Sequence, residues 1–478
     1  MKVHRYLALL AGAAMMILAA SCDKVTQEDP ENKDPEQEKP VEKSKECKLL
    51  TFSLKVGDKA HEGFVYDEDH VAEIVYMPGQ KAMFAKATAV VTISEKATIA
   101  PKPDEVRDYT VEGGVVFTVT AEDGKTKQEY KVVLKEAKVK VTCKEVWKKT
   151  YGDLDISVTG CGQPNVGFSG DKFVTRNMEV LDLEGKKVGT LNLDGIQDAT
   201  NPNFGLVCMS NDHKNHLVAT VSYDKSGKFS IFTDDNKKPE YANNSKVYVW
   251  EKGWDKAPTL IYESKEGDLS RYMSAGGDLP KEGIVTLIAG RNITQMHHCD
   301  VFTDGKLAWN AFNTKYPGND GNWGQIVSPA SGDPNGYFFI ADSQGKNQGA
   351  HVMSRTGIKG NDVDLFGSML DDETVAKEHA GMYQYGNYST THARAFMLNG
   401  KAYAAVTSSG WPSTYLTIQS DNPDDEDHFI LRTVVFAAGQ PVPCSAVYMA
   451  PSGEVYVLMS TQSSTPMMAL YKIVTEAA

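Results

Sequence analysis

Apolar and polar residues alternate in short runs along most of the chain, and this period of two is typical of half-buried β-strands. About seven such runs follow one another over residues 47–141. The last two runs, at 115–134, read as a hairpin in which Asp123-Gly124 supplies the positive φ angles of a tight turn. Short strands at this spacing predict a small β-sandwich over residues 47–141.

A different pattern begins near residue 142, where strand-like runs are joined by turns that combine an acidic or amide residue with a glycine. The turns are about 40 residues apart at first and about 54 residues apart at the end, a spacing typical of four-stranded propeller blades. Residues 142–478 are therefore predicted to form a β-propeller, and seven turns favour seven blades. A large sandwich or jelly roll is the alternative, since the chain has no WD or Kelch signature. The turns contain Gly185, Gly227, Gly267, Gly305, Gly345, Gly400 and Gly453.

The first residues have the charged and then apolar layout of a secretory signal. Lys2 and Arg5 precede an uncharged segment, residues 6–20, which is shorter than the about 20 apolar residues that a membrane-spanning helix needs. Residues 1–21 are therefore predicted to be a signal peptide that is removed. The letters LAASC at its end resemble the lipobox of bacterial lipoproteins, which implies that the thiol of Cys22 is lipidated. An ordinary secretory signal is the alternative.

Residues 22–46 are rich in acids, lysines and prolines and contain almost no apolar side chains. Such a segment cannot bury enough surface to offset the entropy of ordering, so it is predicted to be a disordered acidic tether. An acidic segment directly after the lipidated cysteine also resembles the export signal of Bacteroidetes lipoproteins that reach the outer face of the outer membrane. The resemblance implies a lipid-anchored protein at the cell surface.

The predicted sandwich also resembles a known module. The letters FTVTAEDGKTKQEYKVVL look like the closing hairpin of the immunoglobulin-like modules found at the amino terminus of Bacteroidetes surface lipoproteins, and ATIAPKP resembles the preceding strand. In that family the module is a spacer that holds the next domain away from the membrane. The expected fold class is thus all-β, with a small immunoglobulin-like β-sandwich followed by a β-propeller.

Charge and cysteine spacing narrow the expected partners. The formal net charge is −13, and the acids are scattered along the chain. No basic stripe with interleaved aromatic residues occurs, so nucleic acid is not an expected partner and strongly sulfated glycans are disfavoured. Without Cys22, six cysteines remain, and they contain no CxxC pair and fit no zinc-binding spacing.

Two segments contain residue types that bind metals. His297, His298, Cys299 and Asp300 lie in a strand-like run, where adjacent histidines point to opposite faces, so a structural role is favoured, with one imidazole reaching the central channel as an option. The acidic run Asp421–His428 lacks the order of a calcium-binding loop and reads as a solvated loop. Neither a metal nor a cofactor is predicted, and the chain has no nucleophile elbow or phosphate-binding motif.

Aromatic residues in loops rich in glycine, proline and asparagine form the candidate ligand site. Their flat apolar faces suit sugar rings, and neighbouring amide and guanidinium groups can bind sugar hydroxyls. For any single residue, packing inside the fold is an equally good explanation, so the cluster is better evidence than its members. The predicted carbohydrate-binding residues are Tyr316, Asn322, Trp323, Gln325, Tyr383, Tyr385, Tyr388, Arg394 and Trp411.

The order of anchor, tether, spacer and aromatic-looped β domain predicts a cell-surface lipoprotein that binds extracellular polysaccharide or oligosaccharide for an uptake system, without catalysis. The layout resembles the surface glycan-binding lipoproteins of starch-utilisation-type systems in Bacteroidetes, which implies an outer-membrane glycan transporter complex as a partner. A propeller-type glycoside hydrolase or lyase is the alternative, because two acids on separate blades can lie at a catalytic separation. A protein-binding adhesin is the third hypothesis.

Overall fold

β-Strands make up almost all regular structure in the part of the chain that the computed structural model describes, and the remaining element there is a short 3-10 helix, η1, at Lys81–Lys86. The predicted all-β class is therefore confirmed. No helix of these residues combines the length and the apolar character needed to cross a membrane. The structure describes residues 42–157, 165–202, 204–224, 226–229, 244–264, 269–289, 296–303, 306–310, 314–315, 326–343, 350–357, 362–364, 391–409, 413–422, 424–425, 428–437, 442–462 and 465–477.

Eight strands form the amino-terminal sandwich: β1 (Leu49–Val56), β2 (Lys59–Glu62), β3 (Phe64–Tyr66), β4 (Val71–Tyr76), β5 (Thr88–Ile93), β6 (Thr98–Ala100), β7 (Val116–Thr120) and β8 (Lys127–Glu136). One sheet has the strand order β2-β1-β5 and the other the order β3-β4-β8-β7-β6. The β4 and β8 strands run parallel, whereas the β7–β8 hairpin is antiparallel as predicted.

The core of the sandwich lies between its two sheets. Phe52 of β1, Ile74 of β4 and Phe117 of β7 are fully buried there. Along β7, Phe117 and Val119 are buried while Val116 is exposed, because successive side chains of a strand point to opposite faces. The alternation in the sequence therefore identifies the buried face of this hairpin.

The turn of the β7–β8 hairpin differs from the prediction. Gly124 has a positive φ of 69°, but Asp123 is not among the residues with positive φ, so only one of the two adopts this conformation. Asp123 instead accepts hydrogen bonds with its carboxylate, from the Thr126 hydroxyl and from the backbone N–H groups of Thr126 and Lys125. These hydrogen bonds, the Thr126 hydroxyl first among them, lower the pKa of Asp123 to about 2.

Six antiparallel sheets follow the sandwich among the described residues. A long strand, β9 (Val139–Thr150), precedes them and joins the last sheet. Sheets 1 and 2 contain β10 (Val166–Ser169), β11 (Lys172–Thr175), β12 (Glu179–Leu181) and β13 (Lys187–Thr190), then β14 (Cys208–Asn211), β15 (Leu217–Tyr223), β16 (Asn244–Trp250) and β17 (Thr259–Ser264).

The strands of sheet 3 are β18 (Leu269–Asp278), β19 (Glu282–Ala289), β20 (Met296–Thr303) and β21 (Lys306–Asn310), with β22 (Thr314–Lys315) paired to β20. Sheet 4 contains β23 (Ile326–Pro329), β24 (Tyr337–Ser343), β25 (Ala350–Thr356) and β26 (Asp362–Asp364). Sheet 5 contains β27 (Thr391–Leu398), β28 (Lys401–Ser409), β29 (Ser413–Ser420) and β30 (Phe429–Ala437). Sheet 6 contains β31 (Val442–Met449), β32 (Val455–Gln462), β33 (Met467–Ala477) and β9.

The first strand of each sheet contacts the first strand of the next sheet, and β31 of sheet 6 contacts β10 of sheet 1. These six strands, β10, β14, β18, β23, β27 and β31, are here called the inner strands. Hydrophobic cores lie between neighbouring sheets: Phe396 of β27 and Val457 of β32 share one cluster, and Phe168 of β10 and Leu458 of β32 share another. The sheets therefore pack face to face around the inner strands.

The prediction of seven blades is not confirmed: the described residues form six sheets, five with four strands and one with five. The glycine turns from which seven was inferred do not recur at one place in each sheet. Gly185 lies between the third and fourth strands of sheet 1, Gly227 between the second and third strands of sheet 2, and Gly453 between the first and second strands of sheet 6.

The sandwich and the six sheets are closely joined. Only Ala137 and Lys138 separate β8 from β9, so the predicted boundary after residue 141 falls inside β9. The backbone of Gly79, in the sandwich, lies against that of Gly400 in the β27–β28 turn, because a Cβ built on Gly79 would lie 2.6 Å from Gly400 N. This close approach requires glycine on the sandwich side.

Candidate functional site

The sheets have two distinct ends. Inner strands begin at one end, here called the entry end, and turn back into the second strands at the other, here called the turn end. Because successive strands are antiparallel, connections into a first strand and connections from a second to a third strand both lie at the entry end. The strand ends that flank the predicted aromatic segments are of these two kinds: residues 316–325 precede β23, residues 383–388 precede β27, and Trp411 falls between β28 and β29.

Arg394 is the one predicted site residue whose surroundings can be described. Eight others lie outside the described residues, as does the predicted lipidation site, so their placement stays a prediction; they are Tyr316, Asn322, Trp323, Gln325, Tyr383, Tyr385, Tyr388 and Trp411, with Cys22 as the lipidation site. Arg394 lies on β27 rather than in a loop, and it is only 4% exposed. The structure therefore places its guanidinium among the inner strands.

The guanidinium of Arg394 donates hydrogen bonds to backbone carbonyls. Nη2 donates to Met209 O of β14 at 3.1 Å, so the side chain reaches from sheet 5 to sheet 2, and Nη1 lies 3.2 Å from Ala393 O. Nε is buried and has no hydrogen-bond partner among the residues that the structure describes. Burial lowers the pKa of Arg394 to about 10, so the side chain still carries its positive charge at neutral pH.

Among the described residues, the thiols of Cys208 and Cys444 and the imidazole of His392 interact electrostatically with Arg394. Burial raises the pKa of each thiol to about 12, so both are neutral at pH 7 and supply no negative charge. A second buried guanidinium, that of Arg176 in the β11–β12 connection, also acts on Cys208. Two buried guanidinium groups therefore act on the Cys208 thiol among the inner strands.

At the turn end, the β14–β15 turn joins five of the six sheets. This segment, Asn211–His216, has the sequence NDHKNH and is here called the hub turn. The side chain of Asn211 donates to Val447 O of sheet 6 at 2.7 Å and accepts from Phe168 N of sheet 1 at 3.2 Å. Asn215 forms two hydrogen bonds with the backbone of Met449 in sheet 6.

His213 extends the hub turn to two more sheets. Its Nδ1 accepts the N–H of Gly277 in sheet 3 at 3.0 Å, and its Nε2 lies 3.2 Å from Ala395 O in sheet 5. A ring that accepts at Nδ1 and donates from Nε2 is a neutral imidazole. Burial lowers the pKa of His213, which agrees with this neutral form.

Asp212 organises the hub turn from inside. Its carboxylate, 1% exposed, accepts the N–H groups of Lys214, His216 and Leu279 and the Nδ1 of His216, at distances between 2.7 and 3.0 Å. Burial opposes protonation of His216, but its hydrogen bond to Asp212 and the charge of that carboxylate outweigh burial and raise the pKa of His216. Sequence analysis missed this turn, although a run of six polar residues between two buried strands marks it.

The structure describes parts of the two segments that contain metal-binding residue types. His297, His298, Cys299 and Asp300 lie on β20, a strand as predicted, but β20 is the third strand of its sheet and not an inner strand. In the acidic segment, Asp425 forms an ion pair with Lys401 at 3.2 Å. No group of three His, Cys, Asp or Glu side chains that could hold a metal ion occurs among the described residues.

The cysteines that the structure describes are free thiols. Cys47 and Cys143, which flank the sandwich, are partly buried and do not pair, and Cys208 and Cys444 are buried. Burial raises the pKa of Cys143 to about 12. The thiols of Cys143, Cys208 and Cys444 are therefore protonated at neutral pH.

Residues 49–134 match the family model described as SGBP, N-terminal. No curated protein matches the chain. Among solved structures, the chain is similar to a DUF4623 family protein from Bacteroides eggerthii, with 10% identity, a TM-score of 0.43, and coverage of 90% of this chain and 99% of that chain. It is also similar to the β-propeller domain of the Trilobed protease from Pyrococcus furiosus, with 11% identity, a TM-score of 0.29, and coverage of 82% and 92%.

A further similar structure is a subtype N10 neuraminidase-like protein from a little yellow-shouldered bat isolate, with 7% identity, a TM-score of 0.34, and coverage of 70% of this chain and 100% of that chain. The family match confirms the resemblance inferred from the closing hairpin of the sandwich. The amino-terminal β-sandwich of this chain is therefore an SGBP N-terminal domain, the domain type of surface glycan-binding proteins.

Proposed function

We propose that this protein is a cell-surface lipoprotein that binds extracellular glycan for a polysaccharide uptake system, without catalysis. The observation that carries the proposal is the SGBP N-terminal domain at residues 49–134, because proteins with this domain are cell-surface glycan binders. The remaining described residues supply a second, larger β unit that is joined to it by two residues. A binding head on a surface spacer fits this layout.

The six sheets are proposed to be the blades of a propeller. Contacts between successive inner strands, and between β31 and β10, support a closed ring. Sheet 6 combines β9, from before the other sheets, with three strands from the end of the chain, and pairing of this kind joins the two ends of a ring. Such a ring provides one concave face on which several connections meet.

The glycan is proposed to bind at the entry end. All the predicted aromatic residues belong to connections whose flanking strand ends lie there, on sheets 4 and 5. The sandwich lies at the opposite end, since β9 enters sheet 6 at Val139, beside the last residues of β33, and Gly79 packs on the β27–β28 turn. A head anchored through the sandwich would therefore present its entry end away from the membrane.

The anchor is proposed to be the lipidated Cys22, followed by the acidic tether at 22–46. Metabolic labelling with palmitate tests it: label should appear on the wild-type protein and be absent from Cys22→Ser. Label that is retained by Cys22→Ser would contradict this part of the proposal. A transporter complex in the outer membrane is the proposed partner that receives the glycan, and co-purification from detergent-solubilised outer membranes tests it.

Affinity electrophoresis against a panel of polysaccharides tests the glycan site. Trp323→Ala and Trp411→Ala should each reduce retardation in the gel containing the bound glycan, because each removes a stacking surface worth about 1 kcal/mol or more. Tyr337→Ala is a matched control, since Tyr337 is an aromatic residue 36% exposed at the turn end. Unchanged retardation in both tryptophan variants would refute the site, and reducing sugar released from the bound glycan would make the protein a hydrolase.

A further inference from the structure

The centre of the inner strands contains a buried cation to which the described residues supply no matching anion. Arg394 is only 4% exposed. Its two described hydrogen bonds go to neutral backbone carbonyls, and its Nε has no partner among the described residues. Buried charges in proteins are normally paired, because desolvating an ion costs several kcal/mol that only an opposite charge or a full set of hydrogen bonds offsets.

The buried acids of the described chain do not fill this role. Among the acids whose burial is described, the buried ones are Asp212 and Glu179. Asp212 is saturated by the hub turn, as described above, and Glu179 is bound by Lys187 Nζ at 3.1 Å and by the hydroxyl of Thr175 at 3.2 Å. The electrostatic neighbours of Arg394 are two neutral thiols and His392, whose pKa is lowered chiefly by burial, so none of these described neighbours supplies a negative charge.

We propose that Arg394 receives the carboxylate of an acidic sugar, a uronic acid residue of the captured glycan. This inference rests on the proposed function and names the ligand class of the same head. The geometry that motivates it is the free Nε–H edge of a buried guanidinium among the inner strands, with Arg176 contributing a second positive group near Cys208. A planar carboxylate matches a guanidinium edge with two parallel hydrogen bonds.

The environment favours one negative charge over many. Arg394 is already desolvated in the folded protein, so binding requires desolvation of the ligand carboxylate alone, and the hydrogen bonds formed are charge-assisted. The whole chain carries a net charge of −13, which repels densely sulfated polymers. A uronic acid polymer carries a single carboxylate on each acidic sugar, so it presents the smaller repulsion.

The fold dictates the direction of approach. His213 of the hub turn contacts the carbonyl of Ala395. Ala395 follows Arg394 on β27 and lies on the side of Arg394 that faces the turn end. His392, also buried, precedes Arg394 on β27 and lies 3.3 Å from the hydroxyl of Ser445. The entry end, where the predicted aromatic residues belong, is therefore the side from which the sugar carboxylate is proposed to approach Arg394.

Paired polymers test the inference. Polygalacturonate and glucuronoxylan are each compared with their carboxyl-reduced forms by affinity electrophoresis and isothermal titration calorimetry, using the full mature protein. The wild-type protein should bind the acidic form about tenfold or more tightly than the reduced form, as expected for charge-assisted hydrogen bonds. Equal affinity for the acidic and reduced forms would overturn the inference while leaving glycan binding intact, whereas retention of no polysaccharide at all would refute the proposed function itself.

Variants connect the preference to the residue. Arg394→Gln keeps polar donors and removes the charge, so it should bind both forms of the polymer equally; Arg107→Gln, in the sandwich, is the control and should keep the wild-type preference. Thermal denaturation verifies that Arg394→Gln is folded. If the folded variant still prefers the acidic form of the polymer, the assignment is overturned. Because the wild-type comparison needs no variant, misfolding of Arg394→Gln leaves the test decisive. Thermal stabilisation of the wild-type protein by inorganic sulfate but not by galacturonate would limit the centre to small free anions and refute the inference.

Discussion

Replacing Asp212 by asparagine should destabilise the six-sheet part of the protein, because the hub turn depends on a carboxylate at this position. The Oδ1 atom accepts the N–H groups of Lys214 and His216, each at 2.9 Å, and Oδ2 accepts the N–H of Leu279 at 2.7 Å. An asparagine side chain has one acceptor oxygen and one NH₂ group. In either orientation of the amide, a donor then faces a backbone donor.

The size of the effect follows from burial. Asp212 is 1% exposed and Leu279 is fully buried, so water cannot replace the lost acceptor. A buried polar group left without a partner costs about 1–3 kcal/mol, and the loss of a hydrogen bond to a charged acceptor is at the upper part of this range. The contact between the asparagine NH₂ group and a backbone N–H therefore gives an expected loss of about 2–4 kcal/mol in the free energy of unfolding, a large value for a nearly isosteric substitution.

Tryptophan fluorescence during urea unfolding measures this loss selectively. The six tryptophans are Trp147, Trp250, Trp254, Trp309, Trp323 and Trp411, and all follow the sandwich in the sequence. If the denaturant dependence is about 3 kcal/mol per molar urea, the midpoint should fall by about 1 M. Asp171→Asn is the matched control, because Asp171 lies in the equivalent turn of sheet 1 but is 61% exposed and forms a surface ion pair with Lys172. Its effect should stay within about 0.5 kcal/mol.

A midpoint for Asp212→Asn equal to that of Asp171→Asn would refute the reasoning. It would mean that the carboxylate is not needed to satisfy the N–H groups of the hub turn, or that sheets 2 and 3 do not meet there. The double variant Asp212→Asn with His216→Ala refines the measurement, since the Nδ1 of His216 lies 3.0 Å from Oδ2. Non-additive losses in this cycle would isolate the interaction of the two side chains.

Three further predictions concern other parts of the fold. Gly79→Ala should lower the free energy of unfolding by at least twice the about 1 kcal/mol expected for Gly57→Ala, because both glycines have positive φ but only a Cβ at position 79 would meet backbone atoms, those of Gly400. Calorimetry measures both variants, and equal losses would contradict the contact. Below pH 6.5 the free energy of unfolding should fall by up to about 1.4 kcal/mol per pH unit because of His213, since burial lowers its pKa in the folded protein and the unfolded chain then binds more protons. The same dependence of the free energy of unfolding on pH in His213→Gln would contradict this. A truncated chain that lacks β9 should aggregate, because removing β9 leaves β33 as an open sheet edge, whereas a chain that begins just before β9 should stay monomeric. Size-exclusion chromatography compares the two, and two monomeric samples would argue against closure by β9.

The period-two pattern was sufficient to predict the strands but not their grouping. The hairpin of β7 and β8 is local, so alternation and the glycine at position 124 define it. Sheet number depends on which strands pair, and the glycine turns gave no fixed reference point. Gly400 lies between first and second strands, whereas Gly227 lies between second and third, so the number of glycine turns is not a count of the sheets.

The pairing of β9 with β33 was also beyond sequence reasoning. These strands are separated by most of the chain, and their register runs from Val139 opposite Ala477 to Thr150 opposite Met467. Nothing local in β9 distinguishes a strand of the sandwich from a strand of sheet 6, and the predicted boundary after residue 141 consequently divides it. Long-range pairing of this kind is set by which edge is left open, which is a property of the folded sheet.

The two ends of the inner strands follow different physical rules, and this difference points to where function is located. In the hub turn the carboxylate of Asp212 and both ring nitrogens of His213 have partners, so that end has the complete polar satisfaction expected of structure. Arg394, one residue from the carbonyl that His213 contacts, breaks the rule with a charged group and an unpaired Nε. Proteins tolerate such a local violation chiefly at functional sites, because a group that is fully satisfied in the free protein has nothing left to offer a ligand. The Nε–H of Arg394, which has no partner among the described residues, is the feature on which the ligand proposed for this residue rests.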